Sequence, residues 1–236
     1  MSGLLALAAA ILLAGVYVLG GRLHLAGAAS RRDWISVAAG VSVAYVFIDI
    51  LPDLGARQQS YLAAVVGREL LFPGYRGYLA ALLGFVAYYG FEKMVVTSRT
   101  SEGNPLYRLH LAGFALYSAL IGYLLIERAG KGPLSLWLYT SAMALHFLVT
   151  DHSLLREHGA PYLGAGRCLL AAAVLLGWAV GVIWPLPVSV MVVLFGFIAG
   201  GVVINSVKGE LPEEGDGRFW PFCLGAGGYA LLLMLA

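Results

Sequence analysis

Asp49 and Asp53, Glu92 and Lys93, His110, His146, Asp151 and His152, and Asn205, Lys208 and Glu210 interrupt runs that are otherwise apolar. Ionisable groups in such runs are costly in a bilayer, and by default they point to function. The densest stretch is LHFLVTDHSLLREHG, Leu145 to Gly159. At about 100° per residue, Thr150 falls nearly under His146, whereas Asp151 lies about 140° round the helix. His146 and Asp151 can therefore share a site only if a neighbouring helix supplies the other wall, and the run containing His110 is the natural candidate. At about 1.5 Å per residue, His110 is about 6 Å from the start of its run and Asp151 about 6 Å from the end of its own. Antiparallel runs bring these two to similar height, with His146 about 7 Å deeper. Imidazole and carboxylate groups stacked in this way suit a divalent metal or a proton relay.

Each residue also has a plainer reading. His110 can serve as a hydrogen-bonded helix-end residue, Asp151 has Arg156 and His152 within reach, and Glu210 has Lys208. Asp53 is read as solvated, His152 as wetted at a membrane surface, and His24 and His158 as loop residues. Cys168 and Cys223 both sit in apolar runs, which fits packing and excludes a disulfide framework or a CxxC metal motif.

The elements that must hold these groups are membrane spans. Of 236 residues, 60% are hydrophobic and only 12% charged, with mean hydropathy +0.83; soluble domains carry about 25% charged residues. A net charge of +2 suggests no nucleic-acid partner. Spans need roughly 20 apolar residues, and the sequence predicts about eight: 3–21, 34–54, 76–96, 106–126, 133–155, 163–183, 187–208 and 219–236. The fold expected is an all-α, polytopic membrane domain over 1–236. Pro105, Pro133, Pro161, Pro187 and Pro221 fall at or just before span starts, where a missing N–H is harmless. The first run lacks a basic leader and is read as a retained span, not a signal peptide. Residues 55–75 connect two spans and include a stretch suited to an interfacial helix. Lys and Arg outside the spans favour both termini outside the cytoplasmic membrane.

One pattern occurs twice. AGVSVAYVFIDILPD, Ala39 to Asp53, is answered by AGGVVINSVKGELPE, Ala199 to Glu213, at a constant offset of 160 with no gap. Ala39, Gly40, Val43, Leu51 and Pro52 recur as Ala199, Gly200, Val203, Leu211 and Pro212, and Asp53 is answered by Glu213. With alternating spans, the two copies run in opposite directions. This predicts an inverted 3+2+3 repeat, with halves near 1–96 and 163–236 around a central helix pair near 106–155, and a substrate path at the repeat interface.

This layout resembles the ZIP family of divalent-metal transporters. Asp49-Ile50-Leu51-Pro52-Asp53 is similar to the HLLPE-type end of that family's second span, and Glu210-Leu211-Pro212-Glu213 to its ELLPE-type seventh span. The fourth span keeps only His110 of a His-Asn pattern. The fifth keeps His146, with Asp151 at an acidic position. Phe114, Phe147 and Thr150 stand where ligands are expected, so the two-metal centre of the family cannot be built. Without the family's proline at Val149, the fifth span should be straighter. The resemblance implies a membrane protein that moves a divalent ion such as zinc through one reduced site. In it His110 and His146 are nitrogen ligands, Asp151 is the neutralising ligand, and Asp49 and Glu210 are entrance and exit carboxylates. Its partners would be the metal ion, the lipid bilayer and, in a homodimer, a second copy. Two alternatives stay open: a non-transporting helical scaffold, and a membrane-embedded zinc hydrolase with His110, His146 and His152 as ligands and Asp151 as base. No HExxH motif or nucleophile elbow supports the hydrolase.

Overall fold

The structure is a computed structural model that describes residues 2–20, 28–64, 73–97, 105–208 and 218–236. Among these residues the chain is all-helical. Helix α1 spans Ser2–Leu19, α2 Ala28–Tyr45, α3 Leu51–Ala64, α4 Arg76–Thr97, α5 Pro105–Lys131, α6 Pro133–His158, α7 Arg167–Ile183, α8 Val188–Lys208 and α9 Phe219–Leu235. Among the described residues, five stretches are long and apolar enough to cross a membrane: Ser2–Leu19, Arg32–Ala63, Pro105–Lys131, Tyr162–Ile183 and Val188–Val207. Large apolar side chains such as Leu82, Leu83 and Val86 of α4 and Leu231 and Leu232 of α9 point outward, as expected of a surface that faces lipid.

Helices α5 and α6 begin at Pro105 and Pro133, and Gly132, at φ 124°, provides the turn between them. Helix α6 continues unbroken through Val149. Pro52, by contrast, does not end its helix. A π-helical turn, Val46–Ile50, joins α2 to α3, and the combined rod runs from Ala28 to Ala64. A proline inside a helix removes one i→i−4 hydrogen bond and clashes with the carbonyl four residues back. The wider π turn directly before Pro52 absorbs that misfit. The expected boundary near residue 54 is thus displaced, and residues 55–64, read from sequence as the start of a connection, prolong the rod. The second copy's Leu211-Pro212-Glu213 and residues 65–72 lie outside the described residues.

Two helix pairs are packed in matched fashion. Helix α2 lies on α9, and α8 lies on α4. A side chain at Gly40 would run into the carbonyl oxygen of Phe222, and one at Gly200 into that of Ala81. A side chain at Gly225 would meet the carbonyl of Val37, and one at Gly84 that of Phe197. Gly40 and Gly200 are 160 residues apart, as are Val37 and Phe197; Phe222 follows Ala81 by 141, and Gly225 follows Gly84 by 141. Small residues of this kind let helix backbones approach where lipid offers no hydrophobic drive for association. Helices α5 and α7 use the same device, with Gly122 against Val174 and Gly177 against Ala119.

The core is filled by aromatic and aliphatic side chains. Tyr17, Tyr45, Tyr117, Tyr139, Phe114 and Phe147 are among its largest fully buried members. Four of them, Phe114, Tyr117, Tyr139 and Phe147, belong to α5 and α6. Of these, Phe114 packs against the buried His110 of that pair, and Tyr117 and Phe147 against the buried His146.

Candidate functional site

Helix α5 presents His110, Phe114, Tyr117, Ile121, Leu125 and Arg128 to the interior, and α6 presents Leu136, Tyr139, Met143, His146, Thr150, Leu154 and His158. Steps of three and four keep each set on one helix face. Hydrogen bonds join the two faces along their length. His110 Nδ1 and His158 Nε2 share a hydrogen bond of 2.8 Å. The Tyr117 hydroxyl and His146 Nε2 lie 3.0 Å apart. The Tyr139 hydroxyl donates to the Ile121 carbonyl at 3.0 Å. From His110 to Arg128 this seam is about 27 Å long at 1.5 Å per residue, close to the ~30 Å hydrocarbon thickness of a bilayer.

At one end of the seam His110, Glu157 and His158 converge. One donor atom from each lies within 4.8 Å of the others. His110 is 1% exposed and His158 5%, and the Glu157 carboxylate reaches 4.0 Å from His110 Nδ1. Ser153 donates to Glu157 at 3.1 Å and fixes the other carboxylate oxygen. Tyr107 packs edge-on against His158, and Phe114 edge-on against His110. Two imidazoles bound to tetrahedral zinc at about 2.0–2.1 Å have nitrogens about 3.3 Å apart. The observed 2.8 Å separation needs only a small opening to match that spacing. Two histidines and one carboxylate form the three-ligand set that leaves a fourth position open on zinc. His158, read from sequence as a loop residue, is instead the buried last residue of α6 and a member of this cluster. Spacing gave little sign of it, because twelve residues past His146 it lies about 120° round the helix.

Midway along the seam, His146 is completely buried. Its Nε2 faces the Tyr117 hydroxyl and, at 3.5 Å, Thr150 Oγ1; its Nδ1 faces Ser206 Oγ of α8 at 3.1 Å. Both ring nitrogens are thus occupied. In one consistent assignment Tyr117 donates to Nε2 and Nδ1–H donates to Ser206. Asn205, beside Ser206, is also buried.

Asp151 faces elsewhere. Arg167 Nε donates to its Oδ1 at 2.7 Å and Arg167 Nη2 to its Oδ2 at 2.6 Å, a bidentate pair, while the Tyr162 hydroxyl donates to Oδ1 at 2.8 Å. A side chain at Gly20 would press on Asp151 Oδ2, so the end of the first helical segment closes over the carboxylate.

At the opposite end of the seam, Asp49, Asp53 and Glu127 meet Arg57, Arg128 and Lys131. Arg128 lies 2.8 Å from Asp49 and 3.3 Å from Asp53. Lys131 reaches both Asp53 oxygens at 2.8 Å. Arg57 binds Asp53 at 3.1 Å and also Glu127. Three carboxylates against three cations leave the cluster neutral. The Arg128 side chain is 2% exposed and its guanidinium lies over the rings of Tyr139, Phe195 and Tyr45 at 5.5–5.8 Å, where cation–π attraction offsets part of its desolvation.

The residues singled out from sequence therefore occupy distinct networks: His110 with His158 and Glu157, His146 with Tyr117 and Ser206, Asp151 with Arg167, and Asp49 with Arg128. Glu210 lies outside the described residues. No protein-family model matches the chain, and no curated protein matches it.

Proposed function

We propose that the chain is a ZIP-like protein of the cytoplasmic membrane, with eight spans in an inverted 3+2+3 plan, that binds a divalent cation of the zinc type at His110, Glu157 and His158 and moves it across the bilayer. The observation that carries this reading is the convergence of two buried imidazoles and a carboxylate on one point at the end of the central seam. The matched contacts of α2 with α9 and of α8 with α4, at fixed offsets of 160 and 141, support the repeat. In this reading His110 and His158 are the nitrogen ligands and Glu157 supplies negative charge. His146 and the Asp49–Arg128 cluster then close the path deeper in the seam, and transport requires their hydrogen bonds and ion pairs to open. The test is elemental analysis of the purified protein after zinc loading, with zinc uptake into proteoliposomes. About one zinc per chain is expected, lost in His110→Ala and in His158→Ala.

A second reading, a non-transporting helical scaffold, is favoured by a separate observation: Asp49, Asp53 and Asp151 each hold an arginine, and both His146 nitrogens have partners. Zinc bound without uptake into vesicles supports the scaffold with a structural ion. No bound zinc under any loading condition ends the transporter reading.

A further inference from the structure

A cavity of about 340 Å³ opens between α3, α5, α7 and the first turn of α8. Its walls are apolar, formed by Ile126, Gly181, Leu186 and Met191, and its polar end is formed by Arg57 and Glu127. This volume lies within the range of ~300–1,000 Å³ typical of ligand sites. The turn beside it, 184–187, carries an exposed Trp184, the residue type that favours the headgroup level of a bilayer.

Glu127 is only half satisfied. Its Oε1 accepts from Arg57, whereas its Oε2 is buried and receives no hydrogen bond from any described residue. The nearest hydroxyl in the wall cannot help, because Tyr123 donates to the Trp184 carbonyl at 3.1 Å and accepts from the Leu186 N–H at 2.9 Å. A buried acceptor without a donor is destabilising, and this one belongs to a side chain that lines a space large enough to admit a donor.

We propose that this cavity binds the headgroup of a bilayer lipid carrying a primary ammonium, of the phosphatidylethanolamine type. The ammonium would draw the Glu127 carboxylate round toward the cavity and donate to its unpartnered oxygen, and the phosphate would lie against Arg57. The Arg57–Glu127 pair sets a cation beside an anion, and the zwitterion offers the complementary dipole. A primary ammonium has three N–H donors, as the lysine side chain does; a trimethylated headgroup has none, and a glycerol headgroup has hydroxyls but no cation. Exposed Val188 in the cavity's lining gives the acyl chains an apolar wall.

The test is native mass spectrometry of the full chain with added dioleoyl phosphatidylethanolamine, phosphatidylcholine or phosphatidylglycerol. One phosphatidylethanolamine per chain is expected to be retained about tenfold more tightly than either other lipid, the usual scale of a hydrogen bond to a charged group. Glu127→Gln should abolish the preference. Val188→Trp, which narrows the mouth and leaves the ion pairs in place, should reduce retention without disturbing the fold. Equal retention of all three lipids, or a preference that survives both substitutions, would overturn the proposal.

Discussion

Arg128 and Asp49 meet at 2.8 Å although 79 positions separate them in the chain, and the arginine is almost wholly withdrawn from solvent. The pair locks the π turn of the α2–α3 rod to the last turns of α5. An arginine enclosed by Tyr45, Tyr139 and Phe195 needs its carboxylates, and those carboxylates need it.

Replacing Arg128 by methionine should therefore destabilise the protein by about 3–5 kcal/mol, the usual cost of removing one partner of a buried ion pair. Adding Asp49→Asn to Arg128→Met should recover part of that loss, because it removes the stranded charge. Thermal unfolding in detergent of the two single variants and the double variant measures the coupling directly.

Asp151 and Arg167 allow a sharper decision. If Asp151 serves only to hold Arg167 and Tyr162, Asp151→Asn lowers stability by about 3 kcal/mol and leaves the bound zinc per chain unchanged. A loss of zinc from a folded Asp151→Asn protein would restore Asp151 as a ligand. Elemental analysis beside a melting curve separates the two outcomes.

His146→Ala strands the Tyr117 hydroxyl and Ser206 Oγ, at about 1–3 kcal/mol. With His110, Glu157 and His158 intact, zinc should still bind stoichiometrically, while vesicle uptake should fall if the ion passes along the seam. Unchanged uptake would remove His146 from the path.

The glycines give a test of the matched helix pairs. Gly40→Ala and Gly200→Ala each drive a methyl group into a neighbouring carbonyl and should cost similar amounts, about 1–3 kcal/mol. Gly15→Ala, in a helix position with open space around it, should be neutral or stabilising by up to about 1 kcal/mol. Unequal costs at Gly40 and Gly200 would argue against equivalent packing of the two segments.

Much of the helical layout was legible because hydropathy and proline act locally. Pro105 and Pro133 mark helix starts in sequence and in structure. Pro52 misled for an equally local reason: the same residue type is compatible with a continuous rod once a π turn precedes it. Polar partners were far less legible. Asp151 had Arg156 and His152 nearby in sequence, yet its bidentate partner is Arg167, on the following helix. Asp49 carried no hint of Arg128. Such pairings depend on how helices pack, and the spacing of residues within one helix does not encode that. His158 is missed in the same way: read as a loop residue, it lies twelve residues past His146 and about 120° round the helix, and its burial comes from packing beside His110.

The α2–α3 rod contains 37 residues, Ala28 to Ala64, or about 55 Å at 1.5 Å per residue, against ~30 Å of hydrocarbon. Such a rod must either lean steeply or stand proud of the lipid, and the balance shifts with membrane thickness. Asp49, Asp53 and Arg57 ride on it and face the cations and carboxylate of α5. A thinner or thicker membrane would therefore change how the segment carrying Asp49, Asp53 and Arg57 sits in the lipid.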